Sequence, residues 1–479
     1  MTLTRSAFAL GFSFVIAGCS SGNGGNPGAG GSAGTAGAAD SAGGPAAIAG
    51  AANGGAGVAG SSGAPSAGSG GAAGLVGGSG PTSAGASGAA GSAGAIDPGG
   101  ALRPFPQHRF GTFCTYPTAP DDGGARSAYQ AWKDATVVSD GAGGFLRVRK
   151  PDSGSVIGST VSEGIGYGLI LAVYFGDQSV FDRLWRYEQL HLDGNGLMNW
   201  EIGPDGAVTT GGQGGAGGAT DGDVDMAWAL IMADRQWGGQ GTLDKTYLAY
   251  AKDLIGRIWT YEVDHTRGEM LKAGDSWGDV DVTNPSYFAP AYFRVFGRVT
   301  GQVDNWNKAI DANYAILSRS LNASSGNADN GLAPAWCDSS GKPVEAYSGA
   351  PLYFQNDATR VPFRVGQDYC YFGEPRAKAY LSKINVFYSK IGATNIVDGY
   401  DLNGTAHPDR AVGGLQAASF VGPAGVAAMS DPAQRSFLDQ AYGRVATQML
   451  TAGTIYYQKS WTALSLLMLT GNLVDLTAN

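Results

Sequence analysis

"ATDGDVDMAWALIMADRQWG" (219–238) places Asp221, Asp223 and Asp225 within five positions and then turns apolar. Met226, Ala229, Leu230, Ala233 and Trp237 recur at i, i+3, i+4, i+7 and i+11, one apolar stripe on a helix of 3.6-residue period. Asp221 stands where an N-cap belongs, and Asp223 and Asp225 fall in the first turn. Capping and compensation of the helix dipole account for one acid at such a position, not for three. A helix N-terminus favours an ionised carboxylate, which makes a poor general acid but a good partner for a sugar hydroxyl or a developing positive charge.

Stretches of the same period recur from about residue 102 to the end, separated by Gly, Asp, Asn and Pro loops. They begin near Ala125, Ser162, Gln178, Gly222, Tyr247, Pro285, Val303, Ala358, Pro375, Gln416, Pro432 and Tyr457, which predicts about twelve helices. "GFLRVRK" (144–150) and "GEMLKAG" (268–274) are the best strand candidates, and both read as short loop hairpins. Several helices, such as "YGLILAVYFG" (167–176) and "WTALSLLMLTG" (461–471), are apolar on most of their circumference and must be buried on more than one side. Roughly half the set has this character, so the predicted fold is two concentric layers, an all-α (α/α)6 barrel. An open solenoid is the alternative, but no repeat of fixed period supports it.

The chain before this domain differs in kind. Arg5 precedes the apolar run "AFALGFSFVIAGCS" (7–20), which is too short to span a bilayer and reads, over residues 1–19, as a secretory signal. Ile16-Ala17-Gly18-Cys19 resembles the lipobox of bacterial lipoproteins, implying cleavage before Cys19 and lipid attachment to it. Residues 20–101 are nearly all Gly, Ala and Ser, too poor in large apolar side chains to offset the entropy of ordering. As a flexible coil this linker reaches roughly 50 Å, a tether for the domain at 102–479. Three cysteines remain, Cys114, Cys337 and Cys370, enough for one disulfide but not for a framework. The histidines (His108, His191, His265, His407) have no ligand spacing, and a net charge of −9 without a basic run argues against nucleic acid.

Two further carboxylates stand out. Glu163 follows Ser162, a candidate cap, and opens "SEGIGYG" (162–168). The helix terminus lowers its pKa, whereas glycine and apolar neighbours raise it by desolvation; a general acid needs the raising effects to win. Asp357, in "FQNDATRVPFRVGQDY" (354–369), lies three residues before Arg360, with Arg364 one turn further on, and on its own reads as an N-cap with an i,i+3 ion pair. Trp200 in "GLMNWEIG", Trp277 in "GDSWGD" and Tyr287 in "NPSYF" stand in polar loops. Flat aromatic faces beside carboxylates and amides match a pyranose, whose C–H face is apolar and whose rim is hydroxyl; partial burial under a loop is the plainer reading.

These residues carry a resemblance. "SEGIGYG", "DGNGLMNW", "ATDGDVDMAWALIMADRQWG", "VTNPSYFAPAYF", "DATR" and "IVDGYDLNG", in this order across nearly the whole domain, are similar to glycoside hydrolase family 8 (cellulase family D), and most to its endo-1,4-β-glucanase branch. The resemblance implies an (α/α)6 barrel of inverting β-glycanases. It implies Glu163 as general acid, Asp357 as the general base that activates water, and Asp221 as the acid that binds and distorts the sugar. Trp200, Trp277, Tyr287 and Tyr456 then match substrate-binding aromatics and Arg360 an arginine beside the base. Two positions depart from the pattern: Asn356 stands where relatives carry an aromatic, and "GTIYYQKSW" (453–461) keeps Tyr456 and Tyr457 but lacks a further upstream Tyr.

The expected activity is single-step hydrolysis of cellulose or cello-oligosaccharides, with xylan, lichenan or chitosan as alternative substrates. No metal or cofactor is required. The expected partners are a β-1,4-linked polysaccharide and, through the lipid alone, a membrane; the catalytic domain acts as a monomer. The expected location is the outer membrane, on its periplasmic or outer side, or release outside the cell. A non-catalytic glycan-binding lipoprotein and a polysaccharide lyase are the rival classes. The lyase would want a basic cleft for its uronate substrate, and this domain is acidic.

Overall fold

The computed structural model describes residues 100–478 apart from 154–155, 211–212, 277–280, 348, 408–415 and 448–454. The expectations for the signal, for Cys19 and for the linker as far as residue 99 lie outside these residues, and so does Trp277.

Twelve α-helices are present among the described residues: α1 Asp122–Thr136, α2 Ser162–Phe175, α3 Gln178–Gln189, α4 Thr220–Trp237, α5 Tyr247–Arg257, α6 Pro290–Thr300, α7 Val303–Ser320, α8 Arg360–Phe372, α9 Pro375–Ile391, α10 Ala418–Ala428, α11 Arg435–Thr447 and α12 Ile455–Leu469. Expected and observed starts coincide at Ser162, Gln178, Tyr247, Val303 and Pro375. Pro285 opens a 3₁₀ turn instead, Pro285–Tyr287, and the helix waits until Pro290. Pro290 itself disfavours helical geometry at Ala289, so a helix cannot run through from 285.

Burial separates two rings. The even-numbered helices are buried on nearly all sides: α10 is buried at every position, and α2 at all but Glu163. The odd-numbered helices bury one stripe, as α1 does with Ala125, Tyr129, Trp132 and Thr136. Each inner helix packs on the next, and α12 returns to pack on α2, which closes the ring and excludes the open solenoid. This is the (α/α)6 barrel. The single stripe expected for α4 is a correction: Thr220 to Ala233 is buried without a break, because α4 belongs to the inner ring and its alanines and glycine face other helices, not water. No described helix is long and apolar enough to cross a membrane.

Three two-residue antiparallel pairs decorate the barrel. β1 (Val137–Val138) pairs with β2 (Arg147–Val148), β3 (Thr160–Val161) with β4 (Glu201–Ile202), and β5 (Val263–Asp264) with β6 (Met270–Leu271). The first and third contain the two expected hairpin segments. The second was not expected, since strands of two residues are too short to show alternation, yet β3 runs straight into α2.

Side-chain caps occur on outer helices and are missing from the three inner helices that carry the acids. Asp121, Asp177 and Thr246 cap the outer helices α1, α3 and α5 through side-chain oxygens. The inner helices α2, α4 and α8 follow Val161, Ala219 and Thr359, none of which makes a side-chain cap bond. The cap roles expected for Ser162, Asp221 and Asp357 are therefore corrected. Glu163 and Asp221 are second helical residues and Asp357 precedes its helix, so their oxygens are free for partners on other helices.

Glycine sets how closely α2 and α4 approach. A Cβ on Gly222 would lie 2.7 Å from the carbonyl carbon of Ser162 and 2.9 Å from the amide nitrogen of Glu163, both backbone atoms. A Cβ on Gly166 would lie 2.8 Å from that of Asp225. Cys114 and Cys370 form a disulfide that ties the segment before α1 to α8, and Cys337 is buried and free. The bridge spans 256 residues, and closing so long a loop stabilises by up to about 5 kcal/mol on a chain-entropy account. Replacing Gly222 by Ala is expected to cost about 1–3 kcal/mol, because neither backbone segment can retreat cheaply. A guanidinium denaturation midpoint equal to that of the parent would show that the two helices are not in backbone contact.

Candidate active site

The N-termini of α2, α4 and α8 converge on one guanidinium. Arg360, the first residue of α8, has 1% of its side chain exposed. Its Nη1 donates to Glu163 Oε2 at 2.8 Å and to Asp221 Oδ2 at 2.6 Å, and its Nη2 reaches Asp357 Oδ1 at 3.5 Å. Nε donates to Ser286 Oγ at 3.1 Å, and the guanidinium lies 5.2 Å from the centre of the Tyr287 ring. One side chain thus connects all three acids singled out in the sequence with one of the aromatics.

The acids differ in surroundings. Glu163 also accepts from the Tyr456 hydroxyl at 2.8 Å. Burial pushes its pKa up to about 7; Arg360 and the Tyr456 hydrogen bond oppose this, while Asp221 and Asp357 add to it. The competition left open by the sequence therefore goes to desolvation. Asp221 accepts from the backbone N–H of Gly222 at 2.9 Å, and burial raises its pKa too, Arg360 opposing. The helix terminus does not hold Asp221 low, because a group cut off from water loses more than the helix end returns. Asp357 is the open member, with 33% of its side chain exposed; it accepts from Gln355 Nε2 at 3.1 Å, and its own N–H donates to Gln355 Oε1 at 3.1 Å.

Of the aromatics, Tyr456 and Tyr287 belong to this cluster. Trp200 is half-buried and tied to it by backbone: its carbonyl accepts from the Ser162 N–H at 3.0 Å, at the start of the helix that carries Glu163. Its neighbour Glu201 is held by Lys150 at 2.9 Å and by Ser159 and Thr209. Three residues were missed in the sequence. Tyr167, one turn after Glu163, brings its hydroxyl to 3.5 Å from Arg360; Ser286 and Gln355 act through the bonds given above. Position i+4 from Glu163 was a legible signal for Tyr167, whereas Ser286 and Gln355 carry none. Tyr457 donates to the carbonyl of Asn356 at 2.8 Å, beside Asp357.

Chemically the cluster offers a carboxylic acid that keeps its proton near neutrality, a second acid beside it on the same guanidinium, and a third at the solvent edge. Among the described residues no three His, Cys, Asp or Glu side chains converge closely enough to hold a metal ion.

Residues 105–471 match the model of glycosyl hydrolases family 8. The chain is 40% identical over 347 residues to Endoglucanase A of Acetivibrio thermocellus, covering 72% of this chain and 69% of that protein. Among solved structures, the apo β-1,3-1,4-glucanase from Paenibacillus sp. X4 superposes with a TM-score of 0.69 at 29% identity, covering 77% of this chain and 98% of that one. Rex8A from Paenibacillus barcinonensis, complexed with xylose, shares the fold with a TM-score of 0.62 at 22% identity, over 75% of this chain and 95% of that one. A closed double ring of twelve helices, a family match over most of its length and a relative at this level of identity lead to one conclusion: this chain is an enzyme and belongs to family 8 of the glycosyl hydrolases.

Proposed function

We propose that the enzyme cleaves internal bonds of β-1,4-glucan in a single inverting displacement, with Glu163 as general acid, Asp357 as general base and Asp221 as the acid that holds the distorted sugar. The observation that carries this reading is the shared guanidinium. Three carboxyl groups crowded on one buried guanidinium cannot all be ionised at low cost, so one keeps a proton, and the pKa of about 7 makes Glu163 the holder. Asp221 makes the shorter contact to Arg360 and accepts a backbone N–H, and so carries the charge. Asp357, at the open edge, is reachable by water. Groups gripped from the two ends of one guanidinium stay within about 9 Å of each other, compatible with the separation of about 6.5–9.5 Å at which an inverting pair seats a water molecule. Trp200 and Tyr287 supply the faces for sugar rings, and Tyr456 orients Glu163. The substrate class rests on the endoglucanase relative; the fold-level likeness to Rex8A makes xylan the second substrate to assay.

The acid works only when protonated. Since its proton is held up to about pH 7, kcat/KM is expected to decline above that pH, by about tenfold per unit, while the protonated fraction falls. Glu163→Gln removes this alkaline limb and about 10²–10⁴-fold of the rate on carboxymethylcellulose. Retained activity in that variant would sink the acid assignment. Product NMR should show the α-anomer first; initial β-anomer would contradict inversion. Parallel assays on carboxymethylcellulose, lichenan, xylan and chitosan rank the substrates, and faster turnover of xylan than of any glucan would overturn the glucan reading.

We also propose that the mature chain is a lipoprotein anchored through Cys19. Cys19→Ser is expected to move the protein from the membrane fraction to the soluble one; an unchanged distribution would count against the anchor.

A further inference from the structure

Asp223 points away from the Arg360 cluster, toward the turn that ends α5. That helix runs into a five-residue π-helical turn, Ile258–Glu262, which brings Glu262 under the first turn of α4. Both side chains are fully buried, at 0% exposure, and no N–H donor reaches any of their four carboxyl oxygens. Each carboxyl group lies within interacting distance of the other, and the Thr220 hydroxyl lies beside Glu262. Among the described residues no lysine or arginine pairs with either, and no third ligand converges to make a metal site. The other charged groups around them are mostly of one sign: Glu188 on α3, Asp221 on α4 and Asp275 beyond β6. Of the cations nearby, Arg257 acts on Glu188, and the Lys272 ammonium donates to the carbonyls of Tyr261 and Asp275.

Two buried carboxyl groups facing each other with no paired cation repel unless at least one keeps its proton, and that proton can then lie between them. The backbone fixes the same arrangement. Lys272 N–H donates to the Glu262 carbonyl at 2.8 Å, and Thr220 N–H, at the first residue of α4, donates to the Ala273 carbonyl at 3.1 Å. The β5–β6 hairpin therefore clamps Glu262 and the start of α4 into one unit, with Asp221 one residue beyond the clamp.

We propose that Asp223 and Glu262 share a proton in a carboxyl–carboxylate bond that positions Asp221, making Glu262 a positioning residue for the reaction. The role for Asp221 rests on the function proposed above; the shared proton does not. Burial raises the proton affinity of both members of the pair, Asp223 well above the usual carboxylate range and Glu262 up to about 8. The fold thus binds a proton that the unfolded chain releases near pH 4.5, and the stability it contributes is complete at low pH and lost as pH climbs toward 8.

The test uses Glu262→Gln, which keeps an N–H donor for Asp223 but no dissociable proton, and Glu262→Leu, which leaves Asp223 alone. In Glu262→Gln the fall of Tm between pH 5 and 8 is expected to flatten relative to the parent, and kcat at pH 6 to stay within about threefold. Glu262→Leu, checked for folding by circular dichroism, is expected to lose about tenfold or more in kcat with KM within about twofold. A Tm–pH slope in Glu262→Gln parallel to the parent overturns the shared proton, whatever the fate of the glucanase reading. A parental kcat in folded Glu262→Leu overturns the positioning role. Should Glu262→Leu not fold, Asp223→Ala, which leaves Glu262 alone, replaces it with the same two readouts.

Discussion

A guanidinium with 1% of its side chain exposed cannot stay in a barrel interior unless carboxylates come to it, and the centre of this molecule is arranged around that demand. Arg360 sits at the first residue of an inner helix, with two other inner helices presenting their own first turns. Converging helix N-termini add partial positive charge, so the acids gathered there offset both the arginine and the helix ends. Glycine makes the convergence possible, since Gly222 and Gly166 let α2 and α4 touch backbone to backbone and bring Glu163 and Asp221 to the same Nη1.

The three aspartates at the start of α4 answer three different partners. Asp221 and Asp225 are four residues apart and share a face; so do Arg360 and Arg364 on α8. The two helices meet acid to base in register, Asp221 with Arg360 and Asp225 with Arg364 at 2.6 Å. Asp223 is turned about 200° from Asp221 along the helix and faces the opposite way. It finds Glu262, and no cation. Capping, the plainest explanation for an acid at a helix start, accounts for none of them. One helix turn therefore holds a charged pair at the surface of the site, a charged pair below it, and a pair of acids that must be neutralised from within.

Much of this was readable in the sequence, and the part that was not has a common cause. Helix number, the starts at Ser162, Gln178, Tyr247, Val303 and Pro375, and the double ring follow from local periodicity, which is a property of the chain itself. The carboxylates were visible for the opposite reason, standing where local rules did not need them. What local reading misjudged was every quantity set by a neighbour distant in sequence. Local rules allow Asp221 a cap-like position, while its partner lies 139 residues away. The α4 stripe was drawn too narrow because ring position is not a local property. Ser286 contributes one hydrogen bond and Gln355 two, roles no single-residue signal encodes, and the β3–β4 pair is too short for any pattern to form. Trp277, expected as a sugar platform, lies outside the described residues.

The departure at Asn356 acquires a physical meaning in this frame. In the pattern that the sequence resembles, an aromatic precedes the proposed base, and its replacement by Asn removes a flat surface. It need not loosen Asp357. Tyr457 holds the Asn356 carbonyl at 2.8 Å, Gln355 bonds the Asp357 backbone and carboxylate together, and Arg360 reaches the same carboxylate from the buried side. The position of Asp357 is thus set by groups other than the side chain at 356. Exposure of the three acids along the guanidinium rises from 6% at Asp221 through 18% at Glu163 to 33% at Asp357. With Asp357 held by Gln355 and Arg360, and the chain beside it by Tyr457, the side chain at 356 bears on the surface offered to a substrate and not on how that carboxylate is placed.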